Sequence, residues 1–265
     1  MLPPVNAVHC KNADFLLFAT NDAITSNLVR TGVWEEHTLA ISHAFLAGTP
    51  APLVLDIGAN LGAYAIPMAK DIAARGGSVY AYEPQRIVYY QLCGNIFINR
   101  LDNLFAYRTA VGDSDGDIAL PVVDYGRTDN IGGFSLNAHI REKTRYVALN
   151  DDKPSENTPI ARLDSLALPK PPALLKIDVE GLDLQVLQGG VKLLESANYP
   201  PLLFEAWSFD WFRPEKEKLL EFLRTLGYGA THIFNDDYVA QHPAHAVHID
   251  FETDGAGRFR MNRTR

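Results

Sequence analysis

Cysteine is nearly absent. The 265-residue chain has two, Cys10 and Cys93, too few for a disulfide framework or a zinc knuckle, and both are expected as free thiols in a reducing cytoplasm. Basic residues are outnumbered: 24 Lys and Arg face 32 Asp and Glu, a net charge of −8. A nucleic-acid substrate needs a basic surface to neutralise its phosphates, so that class is set aside. No apolar run approaches the length that crosses a bilayer, and no charged-then-apolar leader opens the chain. A cytoplasmic protein without an integral membrane segment is therefore expected. The sequon Asn262-Arg-Thr264 has no secretion signal beside it and reads as chance. No internal repeat or long low-complexity tract breaks the sequence.

What is present suits one α/β domain over residues 1–265: 47% of the residues are hydrophobic, enough for a sizeable core. The most informative stretch is Leu53-Val-Leu-Asp-Ile-Gly-Ala-Asn-Leu-Gly62. An apolar run ends in Asp56, then Gly58 and Gly62. This reads as a buried parallel strand stopping at a tight turn that enters a helix. Gly58, without a Cβ, permits the turn and a close ligand approach. The three-glycine dinucleotide fingerprint is missing, and an acid in the turn is a poor neighbour for a diphosphate. Asp56 instead suits a ligand with a cationic portion, such as S-adenosylmethionine. A nicotinamide-dependent oxidoreductase and an inactive binding module are the rival readings.

Three further apolar runs end in acid: Ser78 to Glu83-Pro84, Leu174 to Asp178 and Glu180, and Pro201 to Glu205. Four strands thus deliver Asp56, Glu83, Asp178 and Glu205 to one sheet edge, where open α/β sheets bind ligands. Glu83, at the second strand end, is positioned to grip a ribose diol, because a carboxylate accepts from both hydroxyls. Between the first two strands, Met68 and Ile72 with Ala65 and Ala69 mark an amphipathic helix, and strand–helix–strand predicts adjacent parallel strands.

Along the rest of the chain, Phe15–Phe18 is a short edge strand. Asp22 to about Ala47 is helical, and residues 1–50 are expected to cap the cofactor end. Val88, Leu92 and Ile96 mark a helix, and Leu104–Val111 a third strand turning out at Gly112-Asp113. Residues 112–172 are a loop-rich insert with short strands at Ile118–Val122, Arg145–Leu149 and Thr158–Arg162; such inserts carry substrate choice. A helix follows over Leu184–Leu194, breakable at Gly189-Gly190, and another over Leu219–Leu226. Tyr228–Phe234 and Ala246–Phe251 are expected to pair as a closing antiparallel hairpin.

The motifs Gly32-Val-Trp-Glu35-Glu36, Val54–Gly62, Ala81–Pro84, Ala110–Asp113, Arg162-Leu-Asp164, Lys176-Ile-Asp-Val-Glu-Gly181, Leu187–Gly190 and Phe204-Glu205 occur in this order. With them the chain resembles the FkbM-type S-adenosylmethionine-dependent methyltransferases, over about residues 30–240. The resemblance implies a Rossmann-like fold: a mostly parallel seven-stranded sheet with one reversed strand and helices on both faces. It also implies S-adenosylmethionine as cofactor and O-methylation of a hydroxyl on a sugar, glycoconjugate or related small molecule.

Methyl transfer to a hydroxyl needs alignment and a general base. Asp178 is the first candidate and Glu180 the second; Glu205 is the third, or holds acceptor hydroxyls. His139 and His232 are alternative bases with a pKa suited to neutral pH. The expected cofactor contacts are Asp56, Gly58, Asn60, Gly62, Glu83, Pro84, Asp178 and Asp113, the last toward the adenine amino group. Asp178 and Glu205 would need to converge to hold a divalent cation, and no metal is assigned. His242, His245 and His248 are expected to face solvent. Trp207 is expected in the pocket wall, Asn130–Ser135 as a lid, and Arg258–Arg265 as a solvated basic tail. The acceptor itself is not legible, nor is the oligomeric state.

Overall fold

The structure is a computed structural model that describes residues 2–128, 130–150, 152–253 and 259–264. The chain opens with a hairpin, β1 (Val5–His9) and β2 (Asp14–Phe18). Helix α1 (Ala23–Thr31) follows. The Asp22 carboxylate caps it by accepting from the Ile24 and Thr25 N–H groups, and left-handed Gly32 stops it. Helix α2 (Glu36–Leu46) leads to β3 (Leu53–Ile57), buried at all five positions. The next units are α3 (Ala65–Ala73), β4 (Ser78–Tyr82), α4 (Arg86–Ile98) and β5 (Leu104–Tyr107). Met68, Ala69 and Ile72 of α3 are wholly buried, as their spacing predicts.

The insert contains β6 (Ala110–Gly112), β7 (Gly116–Leu120), α5 (Ala138–Thr144) and β8 (Glu156–Arg162). The regular pattern resumes with β9 (Leu174–Ile177), α6 (Asp183–Gln188), α7 (Val191–Ser196), β10 (Leu202–Glu205) and α8 (Arg213–Thr225). It closes with β11 (Gly229–Phe234), β12 (Asp237–Gln241), β13 (Ile249–Thr253) and β14 (Phe259–Arg263). Pro214 opens α8, with Glu215 in its first turn and Arg224 in its last.

The main sheet has seven strands in the order β11-β12-β10-β9-β3-β4-β5, and only β12 runs antiparallel to its neighbours. Each strand alternates its sides. Val54, Val79, Leu174 and Leu203 pack with α2, α3 and α4. Leu55, Ile177, Leu202 and Phe204 pack with α6, α7 and α8. The chain runs outward from β3 through β4 to β5, then returns to β9 on the other flank of β3. That reversal is the switch point where such sheets open a crevice. Among the described residues no helix is long and apolar enough to cross a membrane.

Several expectations are corrected. The strand expected over Leu104–Val111 is two: β5 ends at Tyr107, a turn follows, and β6 joins β7 and β8 in a separate three-stranded sheet. Arg145–Leu149 forms no strand, only a bridge from Leu149 to Val123. The helical stretch expected over Asp22–Ala47 breaks at Gly32 into α1 and α2. The partner of β11 is β12, through a tight turn with left-handed Asn235, and not Ala246–Phe251. The latter region contributes β13, which pairs with β14. The basic tail is therefore largely a strand, while Arg258 and Arg265 lie outside the described residues. The insert also has a small apolar cluster of its own, with Val123, Tyr125, Ile131 and Phe134 packed against Phe18 and Val88.

Gly58 shows what the switch point demands. Its φ is +84°, and a Cβ there would lie 1.8 Å from the Asp178 carbonyl oxygen. The two chain segments leaving β3 and β9 touch backbone to backbone, joined by the Asp178 N–H to the Ile57 carbonyl at 2.9 Å. Gly48 has a similar φ of +79° with nothing near a Cβ. Gly48→Ala is expected to cost about 1–2 kcal/mol, the left-handed penalty alone. Gly58→Ala is expected to exceed about 3 kcal/mol because a backbone must also move. Urea denaturation of the two variants checks this, and equal losses would contradict it.

Candidate functional site

A cavity of about 290 Å³ opens at the C-terminal ends of β3, β4, β9 and β10. On the β4 side it is lined by Gly58, Asn60, Tyr82, Glu83, Pro84 and Gln85. On the β9 and β10 side it is lined by Lys176, Asp178, Glu180, Glu205 and Trp207. The N-terminal segment adds Ala23, Ile24, Trp34 and Glu35, and the insert adds Phe134, Leu136 and Tyr146.

Glu83 is buried and pinned. Its Oε2 accepts the Asn60 N–H at 3.0 Å and its Oε1 accepts the Gln85 N–H at 2.8 Å. Each oxygen keeps a further lone pair, so a diol can still bind the preorganised carboxylate. Burial pushes its pKa up to about 7, against the pull of those two hydrogen bonds. Asn60 sits at φ 50°, and its own side chain accepts the Leu61 N–H at 2.7 Å.

Asp56 is a correction. It is wholly buried, does not line the cavity, and neither carboxyl oxygen has a hydrogen bond. It faces Lys176 across the β3–β9 pairing, Oδ1 to Nζ at 3.9 Å. The strand period sends Asp56 to the same side as Val54, under α2 and α3, so it supports the wall from behind. Gly62 is also structural. It is absent from the cavity lining, and a Cβ there would strike Leu92 and Ile66, within 2.7 Å and 2.9 Å.

Asp178 lines the cavity, and its Oδ2 accepts from the Lys176 ammonium at 3.0 Å. Beyond it the chain turns through Glu180 at φ 54°, which aims the next carboxyl into the same space. Glu205 accepts from the Trp207 indole N–H at 2.6 Å. Burial first, then the neighbouring Asp178, holds both the Glu180 and Glu205 carboxyls well above the ordinary range.

Other expected residues stay apart. Asp113 is exposed in the turn after β6, outside the lining. His139 is exposed on α5, where the turn buries Ile140 instead. His232 is exposed on β11, with its ring bonded to the Asn235 carbonyl at 2.6 Å. His242, His245 and His248 are half-buried and not solvent-facing, and His242 stacks on Tyr199 with ring centroids 4.0 Å apart. The Asn130–Ser135 loop is anchored: the Ile131 N–H donates to Asp22 at 2.9 Å, and Ile131, Phe134 and Ser135 are buried. The candidate list omits Glu35 and Lys176. Lys176 had a signal, because two residues before Asp178 on a strand is the same side.

The profile of the "Methyltransferase FkbM domain" matches residues 56–229, more than half of the chain. The chain belongs to the FkbM methyltransferase family. Its methyl donor is S-adenosylmethionine. The residues present fit that group: a carboxylate pinned at Glu83 that can accept from a diol, an apolar flank of Tyr82, Val111 and Phe134, and several acidic side chains on the opposite wall. Similar solved structures include the methyltransferase FkbM of Methylobacillus flagellatus. It is 15% identical with a TM-score of 0.47 over 72% of this chain, which spans 43% of that protein's length. An S-adenosylmethionine-dependent O-methyltransferase of Thermotoga maritima is 10% identical, TM-score 0.46, over 97% of this chain and 79% of that one. A precorrin-6y C5,15-methyltransferase of Geobacter metallireducens is 13% identical, TM-score 0.43, over 87% of each chain. No curated protein sequence matches the chain.

Burial raises the Asp56 carboxyl to about 6, with Lys176 pulling down and Asp178 pushing up. Its ordinary value is 3.8, so between the two the native state binds the proton and the unfolded chain releases it. Stability from this group is therefore full below the unfolded value and is lost as pH rises through about 6. Asp56→Asn removes that dependence. Relative to wild type, the ligand-free variant is expected to gain stability from about pH 4 to about pH 6 and to show no further change above. Urea titrations across that range check it; a constant difference would refute the shift.

Proposed function

We propose that the protein transfers a methyl group to a hydroxyl of a sugar, glycoconjugate or related small molecule, with Asp178 as general base. The observation that carries this reading is Asp178 itself. Its carboxylate lines the cavity and is oriented by a buried ammonium at 3.0 Å. When bound, S-adenosylmethionine supplies a methyl group on a good leaving group, so the protein's work is alignment and proton removal.

Glu83 holds the ribose hydroxyls, flanked by Gly58, Asn60 and Pro84. Asp178 receives the acceptor proton at its free oxygen. Glu180 and Glu205, whose carboxyls are pushed well above the ordinary range, offer further polar contacts to the acceptor hydroxyls. Trp207 contributes an aromatic wall of the kind that packs on a sugar ring, and its indole N–H fixes Glu205. Polar groups on one side and aromatic faces on the other favour a polyhydroxylated acceptor over an anionic one, for which Lys176 is the sole cation among the described lining residues.

Incubation with labelled S-adenosylmethionine and a panel of glycans, glycolipids and polyketide-like alcohols, read by mass spectrometry, tests the reaction. For the acceptor that turns over, Asp178→Asn is expected to lower kcat roughly a hundred- to ten-thousandfold while leaving S-adenosylhomocysteine bound. Unchanged turnover would remove Asp178 as the base.

A further inference from the structure

Glu35 lies in the segment that precedes the matched family region, yet it lines the cavity and a small side pocket continuous with the β9–β10 wall. Its backbone is left-handed, φ 43°, at the start of α2. Two other non-glycine residues of the cavity lining, Asn60 and Glu180, share that conformation. Strained backbone gathered round one cavity is a mark of a ligand site. Among the described residues the Glu35 carboxylate accepts no hydrogen bond from the protein. Its neighbours are committed: His37 pairs with Asp237 at 2.7 Å, and Lys176 with Asp178 at 3.0 Å.

The methyl donor carries an α-ammonium at the end opposite its nucleoside. With the ribose at Glu83, at the end of β4, the amino-acid end must cross β3 toward β9. Two strand spacings are roughly 10 Å. Glu35 stands at that far end, within electrostatic reach of Lys176 and Asp178. Asp56, the acid that the sequence offers for a cation, is sealed behind the wall.

We propose that Glu35 is the carboxylate that receives the α-ammonium of the bound methyl donor. The assignment rests on the donor site described above. It explains why a half-buried acid with left-handed backbone and no protein donor is kept at the mouth of α2: its donor arrives with the ligand.

Calorimetric titration of the full chain with two probes tests it. S-adenosylhomocysteine carries the amino-acid end, and methylthioadenosine lacks it. Glu35→Gln is expected to weaken S-adenosylhomocysteine roughly 10- to 100-fold, the size of a charge-assisted hydrogen bond, and to leave methylthioadenosine within about twofold. Exposed Glu36 gives the control, with Glu36→Gln leaving both affinities unchanged. Equal weakening of the two probes, or none, overturns the assignment. Should Glu35→Gln fail to fold, Glu35→Asp, which keeps the charge on a shorter stem, is read by the same selective loss. A wild-type chain that binds neither probe would instead bring down the donor site itself.

Discussion

A buried ammonium flanked by two carboxyls sets the geometry of this protein. Lys176 sits on β9 directly opposite Asp56 on β3, with Asp178 two residues on and on the same side. An isolated charge there would be far too costly to bury. A carboxyl at 3.0 Å and another at 3.9 Å offset that cost, and the Tyr64 ring lies 5.6 Å from the ammonium. The three groups depend on one another. Removing the lysine leaves like charges facing each other at the switch point, and removing either acid leaves the lysine under-neutralised. The row therefore fixes the register of β3 against β9 and the place where the Asp178 carboxylate enters the cavity.

One residue type does several jobs here because its surroundings differ. Glu83 is clamped by two backbone N–H groups and Asp178 by an ammonium, so their positions are set before any ligand arrives. Glu180 and Glu205 have less help. Glu205 takes a single indole N–H, and both carboxyls are pushed up by burial beside other acids. Carboxyls of one cavity thus differ in how firmly the protein holds them and in how far burial shifts them.

Much of this was legible in the sequence. Four apolar runs ending in acid placed Asp56, Glu83, Asp178 and Glu205 at one sheet edge, and the structure puts them there. The register of side chains was not legible. Asp56 and Glu83 both end parallel strands, but Asp56 turns beneath α2 and α3 whereas Glu83, one residue past its strand, turns into the cavity. The same one-residue arithmetic explains Lys176, whose partners lie on an adjacent strand that a linear pattern does not show. Pairing across long loops was equally hidden: β12 enters between β10 and β11 through a tight turn, so the apolar stretch near Ile249 was free to fold elsewhere. His139 and Asp113 carry suitable chemistry, but local turns carry them out to solvent.

The two parts of the cavity wall outside the sheet are also tied to each other. Asp22 uses one carboxyl oxygen to cap α1 and the other to hold the Ile131 N–H of the insert. Gly132 then lies so close to Asn60 that a Cβ would stand 2.4 Å from its amide nitrogen. The N-terminal segment, the insert loop and the turn after β3 thus form one clasp over the β4 side, with buried, charge-assisted hydrogen bonds at its centre. Opening that clasp would strand Asp22, 3% exposed, away from its donors. Among the described residues the β10 side has no such hydrogen-bonded clasp, only the apolar contact of Ile140 with Trp207 and Phe212. Phe209 there is 41% exposed and stacks on Trp211 with ring centroids 5.7 Å apart. On the proposed reading, a ligand at Glu83 is enclosed by the clasp and the acceptor enters past the aromatic lip, beside Glu205 and Asp178.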